Sequence, residues 1–240
     1  KLIAVPHSTI RYWDLRYFHD KRISASPISY SQPSPDYYAL NGKHAYNQFL
    51  DANFSSSVLL KSEALRYQFL DSNNDFKHNY NSKEPKILIL GDFTTHQTHL
   101  MLKELKLLTS EFALTLNLTI KPHPVCDINT SDYPSLNLSV IKKPLQDCIK
   151  DFDIVFSSNT TSASLDCFLM NKKVIIFLDE NNLNFSPLRG VSDVSFVSNY
   201  HDIYNELVLA KPRTHNSKNK SFFWIDRDLK KWKKIIQKFF

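Results

Sequence analysis

Lys86-Ile87-Leu88-Ile89-Leu90-Gly91-Asp92 is the stretch on which the fold of this 240-residue chain turns. Four apolar residues in a row, without alternation and stopped by glycine, form the pattern of a short strand buried on both faces. The residues that follow repeat the theme. Residues 98–112 carry Leu100, Met101, Leu105, Leu107 and Leu108 on one helical face, and 114–120 reads as a strand leading into Lys121-Pro122-His123-Pro124. Further strands are expected at 136–141, 153–156, 173–178 and 194–197, with helices at 145–152, 162–170 and 201–209 between or after them. Strands joined by helices of this length require right-handed crossovers, so the fold class is α/β with a doubly wound parallel sheet.

Upstream the pattern is looser. Residues 2–5, 37–40 and 58–60 read as short strands, 43–52 and 63–70 as helices, and 24–35 as an exposed loop rich in Pro and Ser. Residues 71–84 are polar and charged and read as a linker. The chain therefore divides into a partial N-terminal lobe with its linker at 1–80, the doubly wound domain at 81–212, and a basic C-terminal helix at 213–240. In that helix Trp232, Ile235, Ile236 and Phe239 fall on one stripe with lysines elsewhere. Such a stripe either docks the helix on the core or touches an anionic lipid surface.

Hydrophobic content of 42% and charged content of 22% belong to an ordinary globular chain and exclude global disorder. The net charge of +6 suits phosphorylated small molecules or an anionic membrane about as well as nucleic acid, but no nucleic-acid-binding module is present. Cys126, Cys148 and Cys167 are widely spaced, which fits free thiols in a reducing compartment. No stretch reaches the ~18 apolar residues of a spanning helix. The expected setting is cytoplasmic, with membrane association at the inner face as a further expectation. The first residue is Lys, not Met, so the chain reads as a fragment or a trimmed form.

Three segments carry candidate chemistry. Gly91 is one of only three glycines and ends the first strand of the domain, where doubly wound sheets take their ligands. No G-x-G-x-x-G follows it, so it is not a standard dinucleotide fingerprint. His123 lies between two prolines at another strand end, held in a stiff extended presentation from which its imidazole can meet a phosphate. Ser157, Ser158, Asn159, Thr160, Thr161 and Ser162 lie where a strand gives way to a helix, and hydroxyls with free N–H groups at a helix N-terminus hold phosphate well. Lys121 and Pro124 complete the nucleotide- and phosphate-binding set.

The His123-Pro124 pair, followed some thirty residues on by a strand and Ser157-Ser158, resembles bacterial sialyltransferases, polysialyltransferases and Kdo-transferase type enzymes of GT-B architecture. The opening run from Pro6 to Phe18 and Ser62-Glu63-Ala64-Leu65-Arg66-Tyr67 resemble surface-carbohydrate biosynthesis proteins. The resemblance implies a GT-B-like, Rossmann-type glycosyltransferase that moves an acidic sugar from a CMP-linked donor to a glycan or lipid-linked glycan by metal-independent inverting transfer. It implies that residues 81–212 bind the nucleotide sugar, that His123, Ser157 and Ser158 hold the donor phosphate, and that no cofactor takes part. Asp151-Phe152-Asp153 fits the D-x-D metal motif only formally.

The catalytic base of such enzymes comes from the first lobe, where His7, Asp14 and Glu63 are the candidates. Asp14 could instead pair with Arg11 or Arg16, and Glu63 could cap or pair with Arg66. Asn184, Ser186 and Arg189 in the loop 182–190 are the candidate substrate contacts, Arg189 as a bidentate partner for a sugar carboxylate. Two alternatives stay open: a non-catalytic nucleotide- or glycan-binding fragment, or another GT-B enzyme such as a nucleotide-sugar epimerase. The last needs acidic catalytic residues and a UDP site that the sequence does not display.

Overall fold

A strand with four consecutive apolar residues has no face to give to water, so it must be covered on both sides. The computed structural model, which describes residues 1–12, 14–19, 34–71, 84–208 and 222–239, bears this out for β4 (Lys86–Leu90). These residues form two compact units, Lys1–Asn74 with Asn216–Phe240, and Asp75–His215. Most of the loop expected at 24–35 and of the linker expected at 71–84 lies outside the described residues, as does the basic passage after Ala210.

In the second unit β4 is flanked by β5 (Asn117–Lys121) and β7 (Ile154–Ser158), with β6 (Ser139–Val140) beyond β5. β8 (Lys173–Phe177) and β9 (Ser195–Val197) extend the other side, and every pair is parallel. The spatial order β6-β5-β4-β7-β8-β9 is the Rossmann order, reversing direction at the β4/β7 boundary.

One face buries Ile87, Ile89, Ile154, Phe156, Ile175 and Phe177 against the helices Thr95–Glu111 and Tyr200–Val208. The opposite face buries Leu88, Leu90, Val155, Val174 and Ile176, and the helix Ala163–Leu169 packs over β7 and β8. Each such side chain contributes about 1.5–3 kcal/mol by leaving water. The expected strand 114–120 starts only at Asn117. Ala113 takes a left-handed φ of 50°, and the Leu114 N–H turns back to the Thr109 carbonyl, so Leu114 and Leu116 reach the core from a helix exit.

The first unit holds a three-stranded parallel sheet, ordered β1 (Ile3–Ala4), β2 (Tyr37–Leu40), β3 (Leu59–Lys61). The helix Lys43–Asp51 packs Ala45 and Phe49 onto it, and the rings of Phe49 and Phe54 lie 4.7 Å apart beside Tyr38. Gly42 opens that helix where a Cβ would sit 2.0 Å from the Phe222 carbonyl oxygen, so no side chain fits. Residues 63–70, expected as an α-helix, instead give a 3-10 run, Leu65–Asp71.

Numbering the helices in chain order, Lys43–Asp51 is α1, Thr95–Glu111 α2, Leu145–Cys148 α3, Ala163–Leu169 α4, Tyr200–Val208 α5 and Lys230–Phe239 α6. The expected stripe of α6 is narrower than its sequence suggests. Ile235 is buried and Phe239 lies against Tyr37 at 4.8 Å, while the Trp232 indole N–H donates to the Glu63 carbonyl at 2.9 Å. Ile236, one step around the helix, remains 55% exposed. Among the described residues no helix is long and apolar enough to cross a membrane.

Candidate functional site

β4 stands between β5 and β7, so the chain at three neighbouring strand ends carries Gly91-Asp92, Lys121-Pro122-His123 and Ser157-Ser158-Asn159. In open α/β sheets the carboxyl edge beside the reversal of strand order is where ligands sit. Residues that the sequence reading picked from separate segments thus share one edge. Gly91 is the hinge of the arrangement. Its N–H donates to the Lys121 carbonyl at 2.9 Å, and a Cβ there would come within 3.1 Å of the His123 nitrogen and 3.2 Å of the Pro122 Cα. Only glycine brings the two strand ends this close without displacing one of them.

Asp92, the next residue, is fully buried and is the member that sequence reasoning passed over. One carboxylate oxygen accepts from the Thr94 N–H at 2.8 Å and the Thr94 hydroxyl at 2.9 Å. The other accepts short hydrogen bonds from the Ser158 and Thr160 hydroxyls. Thr98 Oγ1 in turn accepts from the Asp92 N–H at 2.9 Å. Burial alone would push this carboxyl up, but the hydroxyls of Ser158 and Thr160 and both donors of Thr94 together hold its pKa below the ordinary aspartate value. An ionised carboxylate therefore ties the end of β4 to the loop after β7. A strand-end Gly-Asp pair opposite a run of hydroxyl residues was the available signal for it.

This geometry gives several residues of the 157–162 stretch partners inside the protein. Here Ser158 gives its single hydroxyl proton to Asp92. Ser157 and Ser158 lie inside β7, and the α4 helix that follows spans only seven residues, Ala163–Leu169. Ser157 Oγ is buried without a hydrogen-bond partner. Asn159 is buried and donates to the Leu183 carbonyl at 2.9 Å, which joins the 182–190 loop to the β7 end. Thr161 and Ser162 are half-buried. Thr161 Oγ1 accepts from the Ala163 N–H at 3.3 Å, and Ser162 makes no side-chain cap.

His123 and Pro124 do not continue an extended chain. The Cys126 N–H donates to the His123 carbonyl at 2.9 Å and closes a tight turn, with Pro124 at the second position that its fixed φ favours. The Val125 N–H reaches His123 Nδ1 at 3.4 Å, which leaves the ring proton on Nε2 as a donor. The Cys126 thiol reaches the Phe93 carbonyl at 2.7 Å and pins the turn to the β4 loop. The Lys121 ammonium is engaged by the Lys143 carbonyl at 2.6 Å.

In the 182–190 loop, Asn184 Oδ1 accepts from the Ser186 N–H at 3.0 Å and Ser186 Oγ from the Leu188 N–H at 3.1 Å. These oxygens fold the loop, and Arg189 is exposed at its end. Asp153 of the formal D-x-D accepts from the Lys86 N–H at 2.7 Å and staples the starts of β4 and β7.

The first-lobe base candidates fare differently. Asp14 is held by Arg16 through two contacts of 2.8 and 2.7 Å, which also hold the Arg16 pKa above its usual value, so Asp14 braces its own turn. Glu63 is buried and caps α6, accepting from the Lys231 N–H at 2.8 Å and the Trp232 N–H at 3.0 Å. His7 is exposed. Glu63→Ala is expected to cost about 2 kcal/mol, because two helix-start donors lose their acceptor, and Glu63→Gln less than half that. Denaturant unfolding of the two variants checks this; equal stability of wild type and alanine variant would deny the cap its role.

No protein-family model matches the chain, and neither does any curated protein. Among solved structures it is similar to UDP-GlcNAc 2-epimerase of Methanocaldococcus jannaschii in complex with UDP-GlcNAc and UDP, at a TM-score of 0.55 and 11% identity over 85% of this chain and 61% of that one. S. aureus MnaA with UDP matches at 0.55 and 14%, over 95% and 65%. UDP-GlcNAc 2-epimerase from Neisseria meningitidis, bound to UDP-GlcNAc, matches at 0.52 and 12%, over 85% and 61%. The chain spans less than two thirds of the length of each. These likenesses establish a Rossmann-like GT-B fold. They support the architecture expected from the motifs, and not the sialyltransferase-type specificity.

Proposed function

We propose that the chain is a nucleotide-sugar enzyme of GT-B type whose Asp75–His215 unit binds a UDP-linked sugar, with epimerase-type chemistry ahead of transfer from a CMP-linked acidic sugar. The observation that carries the reading is the convergence of Gly91, His123 and the end of β7 at the reversal of strand order. The UDP-bound structures of like fold favour uridine over cytidine. In this reading His123 Nε2 donates to the nucleotide's phosphate, while Thr161, Ser162 and the backbone after β7 complete the anion contacts. Asp92 and Ser158 hold that loop in place and do not touch the phosphate, since a buried carboxylate repels it. Arg189 is kept as the contact for an anionic group of the substrate.

A second reading rests on a separate observation. Asp14 and Glu63 are both committed to structure, whereas the exposed His7 has no hydrogen bond or ion pair among the described residues. This favours a chain that binds nucleotide sugar without turning it over.

Calorimetry with UDP, UDP-GlcNAc, CMP and CMP-sialic acid, beside NMR turnover assays, separates the readings. UDP and UDP-GlcNAc are expected to bind with Kd between about 1 μM and 1 mM, the range typical of enzyme substrates, and CMP more weakly. Binding of cytidine ligands alone, with sugar transfer, would restore the transferase. Binding without a new sugar signal supports the non-catalytic reading, and no binding at all removes the nucleotide site.

A further inference from the structure

The apolar stripe of α6 is spent inside the first unit, on the Glu63 carbonyl and on Tyr37, so it is not available to enter a lipid bilayer. The opposite face is a different matter. From Lys230 to Phe239 the helix contains no acidic residue. Lys230 is paired with Asp226 and Asp228, and Lys231 with Glu63. Lys233, Lys234 and Lys238 are exposed and form no ion pair among the described residues. The Lys1 ammonium joins them, 5.5 Å from the Phe239 ring that Lys238 covers from 5.2 Å. Two apolar side chains stand out of this basic region, Ile236 at 55% exposure and Leu2 at 61%.

We propose that this face of α6 is a docking surface for an anionic lipid bilayer, held by charge with the helix lying on the headgroups and its stripe still packed on the protein. The composition favours lipid over nucleic acid. The charges are lysines, which act as point charges on headgroups, whereas Trp232 and Phe239, rings of the kind that stack on bases, are engaged by the Glu63 carbonyl and by Tyr37. Ile236 and Leu2 suit the headgroup boundary. Each lysine near such a surface contributes about 1 kcal/mol, or roughly a fivefold factor in partitioning, and the attraction fades within a Debye length.

The test is co-sedimentation of the full chain with vesicles of phosphatidylcholine containing phosphatidylglycerol, and with pure phosphatidylcholine. Binding is expected only to the anionic vesicles, and is expected to vanish at 0.5 M salt. Lys233→Ala with Lys234→Ala should lower partitioning about 25-fold, while Lys103→Ala with Lys106→Ala on the exposed side of α2 should leave it within about twofold. Circular dichroism and melting confirm that both variants are folded. Brominated lipid is expected not to quench Trp232, because the indole stays on Glu63. Equal partitioning of the two double variants would overturn the proposal, as would binding to neutral vesicles, quenching of Trp232, or lysine-dependent binding of RNA or DNA without vesicle binding.

Discussion

Asp92→Ala is expected to lower the stability of the Asp75–His215 unit by about 3–5 kcal/mol, read as a fall in denaturant midpoint without a change in slope. The carboxylate is fully buried and receives four hydrogen bonds, from both donors of Thr94 and from the hydroxyls of Ser158 and Thr160. Alanine removes the acceptor of all four, although the Ser158 and Thr160 hydroxyls, 3.3 Å apart, can then pair with each other, and each uncompensated loss costs about 1–3 kcal/mol before relaxation. Asp92→Asn keeps one acceptor oxygen and offers an N–H₂ that the hydroxyls can accept, so it should cost about 1–2 kcal/mol. The pH dependence carries its own sign. The folded-state pKa of Asp92 lies below the unfolded value, so its stabilisation is complete above an unfolded pKa of about 3.9 and is lost as pH falls through the folded value. The wild type should therefore lose stability more steeply than Asp92→Asn below about pH 4. Identical acid limbs for the two proteins would mean that the clamp is not ionised.

His123→Ala is expected to slow turnover about 10²–10³-fold, roughly 3–4 kcal/mol of transition-state stabilisation, while nucleotide Kd rises only about tenfold, the low end of what one hydrogen bond to a charged group contributes. The prediction follows from its place at the β5 end, packed against Gly91, with its Nδ1 occupied by the Val125 N–H and Nε2 left as donor. A donor aimed at charge that develops during reaction acts on kcat more than on ground-state binding. His123→Gln, with an amide N–H on a side chain of similar reach, should recover part of the loss. The fold is expected to survive, since His123 is only half-buried and belongs to no apolar cluster. Near-full turnover by His123→Ala, with a much lower melting temperature, would make the histidine a turn residue and remove it from the phosphate site.

The two variants also show where reading residues in order succeeds and where it stops. Strand β4 was legible because a five-residue run with four apolar side chains has few folded solutions, and its bounds, 86–90, were read to the residue. The close approach at Gly91 was foreshadowed by the scarcity of glycine: of the three, Gly42 and Gly91 stand where a Cβ would meet backbone, and Gly190 takes a left-handed φ of 79° in open space. Glu63 was read as a candidate base, with a local cap or a pair with Arg66 as its structural alternative, because periodicity within one segment reports neighbours three and four residues away. Its actual partners, Lys231 and Trp232, lie 168 and 169 residues further on.

The sequence by itself determined the α/β class, the parallel sheet and the segments that end at its ligand edge, because those follow from local apolar periodicity and from the few connections that parallel strands allow. Tertiary structure alone decided what each polar group does. Ser158 read as a phosphate donor by its place in the sequence; β7 runs beside β4 and brings its hydroxyl to Asp92, 66 residues earlier in the chain. A hydroxyl has one proton to give, and a buried carboxylate claims the nearest ones. That competition is settled by distance in space, which the order of residues does not record.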